Sequence, residues 1–137
     1  MSASIPESHK DLIAGPVCAT VSTTFDDGQP QSSVIWTKLD GDTIKFSVTT
    51  TRQKTKNMEK TPKVSLLAID PQNPYRYIEV RGDVSMSEDG ADDLINDLAK
   101  LYVNKDEYYG GVAPAENKDK EQRVVVTVTP TRVVTNG

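Results

Sequence analysis

Hydrophobic and polar positions alternate through most of the first half of the chain, and the alternation predicts strands. From Val17 to Phe25, the residues Val17, Ala19, Val21 and Thr23 fall on alternate positions in a β-branched run. Asp26-Asp27-Gly28 reads as a hairpin turn, with Gly28 supplying the positive φ. The returning run, Pro30 to Lys38, carries Val34 and Trp36 on one face and Gln31, Ser33, Ile35 and Thr37 on the other. Asp40-Gly41-Asp42 makes a second tight turn, and Thr43 to Thr49 a third strand with Ile44, Phe46 and Val48 in phase. Strands joined by such short turns form an antiparallel meander. Parallel strands need long crossovers, so a parallel dinucleotide fold is excluded for this half.

The second half mixes periods. Lys63 to Asp70 is apolar on both faces and reads as a central strand. Tyr75 to Met86 reads as another, with Tyr75, Tyr77, Glu79 and Arg81 on one face, Ile78 and Val80 on the other, and Gly82 marking a bulge or a close backbone approach. Ser87 to Val103 carries Ala91, Leu94, Ile95, Leu98, Leu101 and Tyr102 at helical spacing, with acids near its start and Lys100 near its end. Asn104 to Glu121 is a polar loop, and Arg123 to Val134 a last strand whose pairing should end at Pro130. At the other end of the chain, Ser4-Ile5-Pro6-Glu7 reads as a capping box for a short helix with His9 exposed. The expectation is one mainly β domain over residues 1–137, a six-stranded antiparallel barrel with peripheral helices.

Composition narrows the function. A net charge of −4 and a pI near 5.0 argue against a general nucleic-acid binder. The single cysteine, Cys18, excludes an internal disulfide, and its strand setting predicts a buried side chain. One histidine leaves no metal cluster and no ordinary triad, so no metal is expected. No run approaches the about 18 apolar residues of a membrane span, and no signal-peptide pattern opens the sequence. The expectation is a soluble cytoplasmic protein.

Against this acidic background the corner Thr49-Thr50-Thr51-Arg52-Gln53-Lys54-Thr55-Lys56-Asn57 is basic. It joins the third strand to a short helical pattern that Pro62 closes. Cations at a helix N-terminus suit a phosphate, although a solvated basic helix has the same composition. On an ideal helix Arg52 and Lys56 share a face while Lys54 points elsewhere. One phosphate can then hardly take all three unless Arg52 precedes the helix proper.

The order of these parts resembles the split-barrel superfamily of pyridoxamine-phosphate oxidase and the flavin or deazaflavin (coenzyme F420) reductases. The resemblance is carried by Asp27-Gly28-Gln29-Pro30-Gln31, by Arg52-Gln53-Lys54-Thr55-Lys56-Asn57-Met58 with Pro62-Lys63-Val64-Ser65-Leu66, by Arg76-Tyr77-Ile78-Glu79-Val80-Arg81-Gly82, and by Arg123-Val124-Val125-Val126. The Arg-x-Lys-x-x-Asn spacing is most similar to the small F420-binding branch. What this implies is an FMN-binding-type split β-barrel, homodimeric, with F420 (alternatively FMN) in a groove at the subunit seam. The implied activity is hydride transfer between the deazaflavin and a small organic acceptor. The alternatives are an FMN-dependent oxidoreductase of the pyridoxamine-phosphate-oxidase type and a non-catalytic flavin or F420 carrier. A haem-handling split barrel is disfavoured by the lone His9.

By the same resemblance Arg52 and Lys54 would hold the coenzyme phosphate, and Asn57 would fix the corner or touch the coenzyme. Thr49 and Thr50 would meet phosphate or ring, and Pro30 and Gln31 would line the deazaflavin edge. Lys56 would meet an anionic tail or solvent. Trp36 would stack beside the ring or fill the core, and Tyr77, with Tyr75, would reach the partner's coenzyme. No catalytic acid or base stands out, as fits chemistry carried by the coenzyme. The Asn104–Glu121 loop, with Gly110-Gly111, could close over the site.

Overall fold

A computed structural model describes residues 3–137. A 3-10 turn (Glu7–His9) leads into α1 (Lys10–Ile13), then β1 (Ala19–Thr24), β2 (Pro30–Ile35), β3 (Lys38–Asp40) and β4 (Thr43–Thr49). After α2 (Gln53–Lys60) come β5 (Lys63–Asp70), β6 (Asn73–Ser87), α3 (Ala91–Val103), a second 3-10 turn (Ala115–Asp119) and β7 (Arg123–Asn136). Every pairing is antiparallel, in the order β2-β1-β5-β6-β7-β4-β3.

The two ends of that order are neighbours in the chain, because only Trp36 and Thr37 separate β2 from β3. The run expected as one strand therefore serves two partners. Its first part pairs with β1, from Thr24↔Pro30 to Ala19↔Ile35. Its last part pairs with β4, from Lys38↔Lys45 to Asp40↔Thr43. The chain thus bridges the two edges of a curled sheet that no ladder closes, and the six strands expected become seven. Alternation marks which side chains face inward, but not where a strand changes partner.

Changing partner strands the backbone of Thr37, which is fully buried. Its N–H donates to the Tyr102 hydroxyl at 2.8 Å, and that hydroxyl lies 2.8 Å from Thr37 O and 3.1 Å from Val17 O. One phenol thus accepts one bond and donates another, replacing ladder bonds the break removes. The Thr37 hydroxyl donates to Ile13 O at 2.8 Å and ties α1 to the same point. Gly15, at φ +87°, passes so close that a Cβ would sit 2.7 Å from Leu101 Cδ2 and 3.0 Å from Thr37 O.

Inward positions of the strands supply the core: Val21, Phe46, Leu66, Ile78, Val80 and Val126 are fully buried, with Met58 of α2 closing one end. Outside the barrel, α3 lays Ala91, Leu94 and Leu98 on Val125, with Trp36 and Tyr102 against them. Elsewhere on the outer surface Val34, Leu67, Ile69 and Tyr75 remain exposed.

Four local expectations change. Cys18 is exposed, because the inward phase belongs to Ala19 and Val21 and leaves the residue before them outside. His9 is buried: Nε2 donates to Asn136 O at 2.9 Å, since β7 runs on to meet the N-terminal turn. That continuation past Pro130 is possible because Pro130 faces Gly82 at a register shift, where a missing N–H breaks no ladder bond. The capping box does not form; Pro6 precedes the turn without a side-chain cap, and Glu7 pairs with Lys10 at 2.6 Å.

Tyr102→Phe keeps the ring and removes the hydroxyl that serves Thr37. Urea denaturation should show a loss of about 2 kcal/mol, the cost of leaving buried backbone groups unpaired. A loss under about 0.5 kcal/mol would mean that the break satisfies itself by other means.

Candidate functional site

Where β2 leaves β1's edge and swings toward β4, a cleft of about 220 Å³ opens between them. The corner after β4 supplies one wall. Arg52 is in an extended conformation (φ −71°, ψ 145°) and α2 begins at Gln53, so Arg52 does precede the helix. The Thr55 hydroxyl donates to Thr49 O at 2.6 Å and locks the turn. A line of amides then straps α2 to the sheet: Gln53 Nε2 donates to Asn57 Oδ1 (2.8 Å), Asn57 Nδ2 to Thr23 Oγ1 (3.0 Å), and Thr23 Oγ1 to Gln31 Oε1 (3.0 Å). With α2 fixed, Lys54 reaches into the cleft and its Nζ donates to Ser33 Oγ at 3.3 Å.

The floor comes from β4 and β7. Arg123 pairs with Thr49 in the ladder and is 8% exposed. Its Nε donates to Tyr109 Oη at 2.9 Å and its Nη1 to Ser47 Oγ at 3.3 Å, while its guanidinium carbon lies 4.6 Å from the Tyr108 ring centroid. Such a cation over an aromatic face is attracted by the ring quadrupole. Trp36 forms the facing wall, stacked on Tyr102 (5.2 Å, 12°) and meeting Tyr108 edge-on (6.3 Å, 78°). The segment from Asn104 to Glu121 is therefore a wall, pinned where Tyr108 N donates to Asn96 Oδ1 (2.9 Å) and Tyr109 Oη to Glu121 Oε1 (3.0 Å).

Charge singles out this cleft. Among the described residues, each Lys or Arg that is not exposed pairs with a carboxylate, except Lys54 and Arg123. Both face the cleft. Burial, then Arg52 and Arg123, hold the Lys54 ammonium below the usual lysine value of 10.5. Desolvated cations without counter-charges are costly, and an anion in the cleft would offset that cost.

The structure gathers only part of the expected set. Lys54 and Trp36 meet at the cleft, and Arg52 stands close enough to Lys54 to depress it. Thr49 is buried with an Oγ1 that finds no partner and is sealed from solvent, so it is not presented to a bound molecule. Thr50 faces a different hollow, beside Met86 and Val124, and Lys56 another, beside Asp26 and Lys60. Asn57 is buried in the strap that fixes the corner. Pro30 is exposed at the start of β2, and Gln31 is held by Thr23. Tyr77 lies on the outer face of β6, paired with Ile69 and Asn136 and away from the cleft. Sequence reasoning overlooked Arg123, Ser47, Ser33, Tyr108 and Tyr109 as site residues. The available signal was a charge heading an unbroken β-branched run.

The family profile described as Pyridoxamine 5'-phosphate oxidase matches residues 5–137. The chain belongs to the pyridoxamine 5'-phosphate oxidase family. A solved structure titled F420 Reductase is 36% identical, covers 95% of this chain and 98% of its own, and superposes with a TM-score of 0.80. A conserved hypothetical protein from Mycobacterium tuberculosis (20% identity, 96% and 84% covered, TM-score 0.76) shares the fold. So does HupZ from Group A Streptococcus (20% identity, 96% and 93% covered, TM-score 0.64). No curated protein matches the sequence. The family and the F420 reductase likeness support an oxidoreductase-like function on a split barrel. Among the described residues, no helix is long and apolar enough to cross a membrane.

Lys54→Met removes a half-buried cation that lacks a counter-charge. Without ligand at pH 7, the variant should melt about 1–4 °C above the parent. Because the folded-state lysine is depressed, the unfolded chain holds its proton to higher pH, and parental stability rises as pH climbs toward 10.5. The gap between the two proteins should therefore narrow in that window. A variant that melts at or below the parent at pH 7 would show that the Ser33 contact already offsets the burial.

Proposed function

We propose that this family member is an F420-dependent oxidoreductase passing hydride between the deazaflavin and a small organic acceptor. The observation that carries the reading is Arg52 and Lys54, unpaired at the head of α2 beside an aromatic cleft, in a chain 36% identical to an F420 reductase. Because Arg52 stands before the helix, it and Lys54 can serve one phosphate while Lys56 does not. The arginine supplies a planar fork and the lysine a movable point charge. These residues fit a phosphorylated flavin-type coenzyme, FMN as well as F420. When bound, a reduced deazaflavin supplies the hydride. The chain's own part is to anchor the phosphate and to offer Trp36 as a flat wall for the ring. The FMN-dependent oxidoreductase and the non-catalytic carrier are the competing readings.

A second copy of the chain belongs to this proposal. Val34 (66% exposed), Leu67, Ile69 and Tyr75 (79% exposed) leave an apolar outer sheet face open to water. The cleft, at about 220 Å³, is smaller than the about 300–1,000 Å³ of ordinary ligand sites, so one chain does not enclose a coenzyme. Docking these faces would extend the groove across the seam and bring Tyr77, which shares the face, toward the partner's site.

Parallel titration with F420 and FMN should give a dissociation constant near micromolar or tighter for F420, about −8 kcal/mol, and weaker FMN binding. Arg52→Ala with Lys54→Ala should lower the F420 affinity at least about 100-fold. Unchanged affinity would remove the corner from the site. Tighter FMN binding would favour the flavin reading, and binding without turnover of any enone or quinone the carrier. In light scattering the parent should show twice the 15.0 kDa chain mass, and Leu67→Glu with Ile69→Glu should halve it and weaken coenzyme binding. A monomeric parent with full affinity would contradict the seam.

A further inference from the structure

Arg123 is a buried cation with an unclaimed edge. A guanidinium offers five N–H donors, and two are engaged here, by Tyr109 and Ser47. Nη2 makes no hydrogen bond among the described residues, yet it is not among the side-chain atoms sealed away without a partner. Nη2 is therefore not sealed, and Arg123 lines both this cleft and a second hollow beside Glu88, Asp92 and Asp119. We take the edge to be presented to the cleft, where Tyr108 and Ser47 hold the guanidinium. Tyr108 covers one face of the guanidinium at 4.6 Å, which leaves an edge-on approach. Glu121 accepts the Tyr109 proton at 3.0 Å and so turns a phenol lone pair toward Nε. The fork is thus oriented before any ligand arrives.

The surroundings define what fits against that edge. Trp36 and Tyr108 are flat, Ile95 and Leu98 are apolar, and the space of about 220 Å³ admits a small planar molecule rather than a whole coenzyme. A forked cation at the end of an aromatic slot matches a carboxylate, which takes two parallel N–H bonds. Arg52 and Lys54 occupy the α2 side, whereas Arg123 rises from the β7 floor.

We propose that Arg123 reads the acceptor, taking the carboxylate of a small planar organic acid whose body lies against Tyr108, beside the wall that Trp36 gives to the coenzyme ring. Its place in a reaction rests on the oxidoreductase reading above; the binding of the acid does not. Division of labour follows, with the α2 corner holding the coenzyme phosphate and Arg123 selecting the molecule beside it.

Trp36 is the chain's only tryptophan, so its indole N–H gives a single peak in a nitrogen–proton correlation spectrum. Titrating the protein with trans-cinnamate should shift that peak saturably. Cinnamamide, matched in size but uncharged, should bind about 10- to 100-fold more weakly, as loss of a charge-assisted pair requires. Arg123→Gln should abolish the preference while costing F420 less affinity than Lys54→Ala does, and a preference that persists in the variant overturns the proposal. Equal binding of the two probes to the parent, or no binding of cinnamate, overturns the proposal. So does an Arg123→Gln variant that loses F420 as severely as Lys54→Ala, which would put Arg123 on the phosphate. Failure of the parent to bind F420 or FMN is a separate result that sinks the coenzyme reading and leaves this one standing. Should Arg123→Gln fail to fold, the two probes on the parent decide the matter alone.

Discussion

A strand that serves two neighbours cannot stay in both ladders, and the break at Trp36-Thr37 is where this chain accepts that constraint. Beyond it, β2 and β4 diverge, and the gap between them becomes the cleft. The break survives in a buried setting because Tyr102 reaches over from α3 to serve the Thr37 amide and carbonyl. The same ring stacks under Trp36, so one side chain both repairs the backbone and sets the angle of the cleft wall. Fold and site are joined at that residue: α3 covers the outside of the barrel and also lines the cleft beside it.

Into that opening the chain places charges it does not neutralise. Arg76 shows the usual arrangement, gripping Asp11 at 2.6 Å and Asp70 at 3.1 Å. Lys38 and Lys45 likewise lean on acids. Among the described residues Lys54 and Arg123 hydrogen-bond only to hydroxyls, and the depressed lysine records its burial first and the nearby Arg52 and Arg123 after it. A protein of net charge −4 has acids to spare, and several line the hollow on the other side of Arg123, yet among the described residues none pairs with either cation. Leaving two such cations without acids gives up stability locally, as binding sites commonly do.

Much of this was legible in the sequence. Val21, Phe46, Leu66, Ile78 and Val126 fell on inward phases because half-buried strands enforce a period of two. The basic corner could be read because Arg52, Lys54 and Lys56 are close in sequence and stand out by charge. What escaped depends on partners distant along the chain. Cys18 and His9 were misplaced since burial at a strand entrance or in a three-residue 3-10 turn is decided by what arrives there, Asn136 in the case of His9. The split of the Pro30–Lys38 run leaves no periodic mark, because Ile35 and Thr37 stay in phase across it. Arg123 went unnoticed because its neighbours in the cleft, Ser47 and Tyr108, lie 76 and 15 positions away.

The central claim is that Arg52 and Lys54 exist to hold the phosphate of a redox coenzyme. A crystal structure of the protein grown with F420 tests it most directly. The account predicts a phosphate within about 3 Å of the Arg52 guanidinium and the Lys54 ammonium, with the ring beside Trp36. A phosphate bound elsewhere, with both cations turned to solvent, would contradict it.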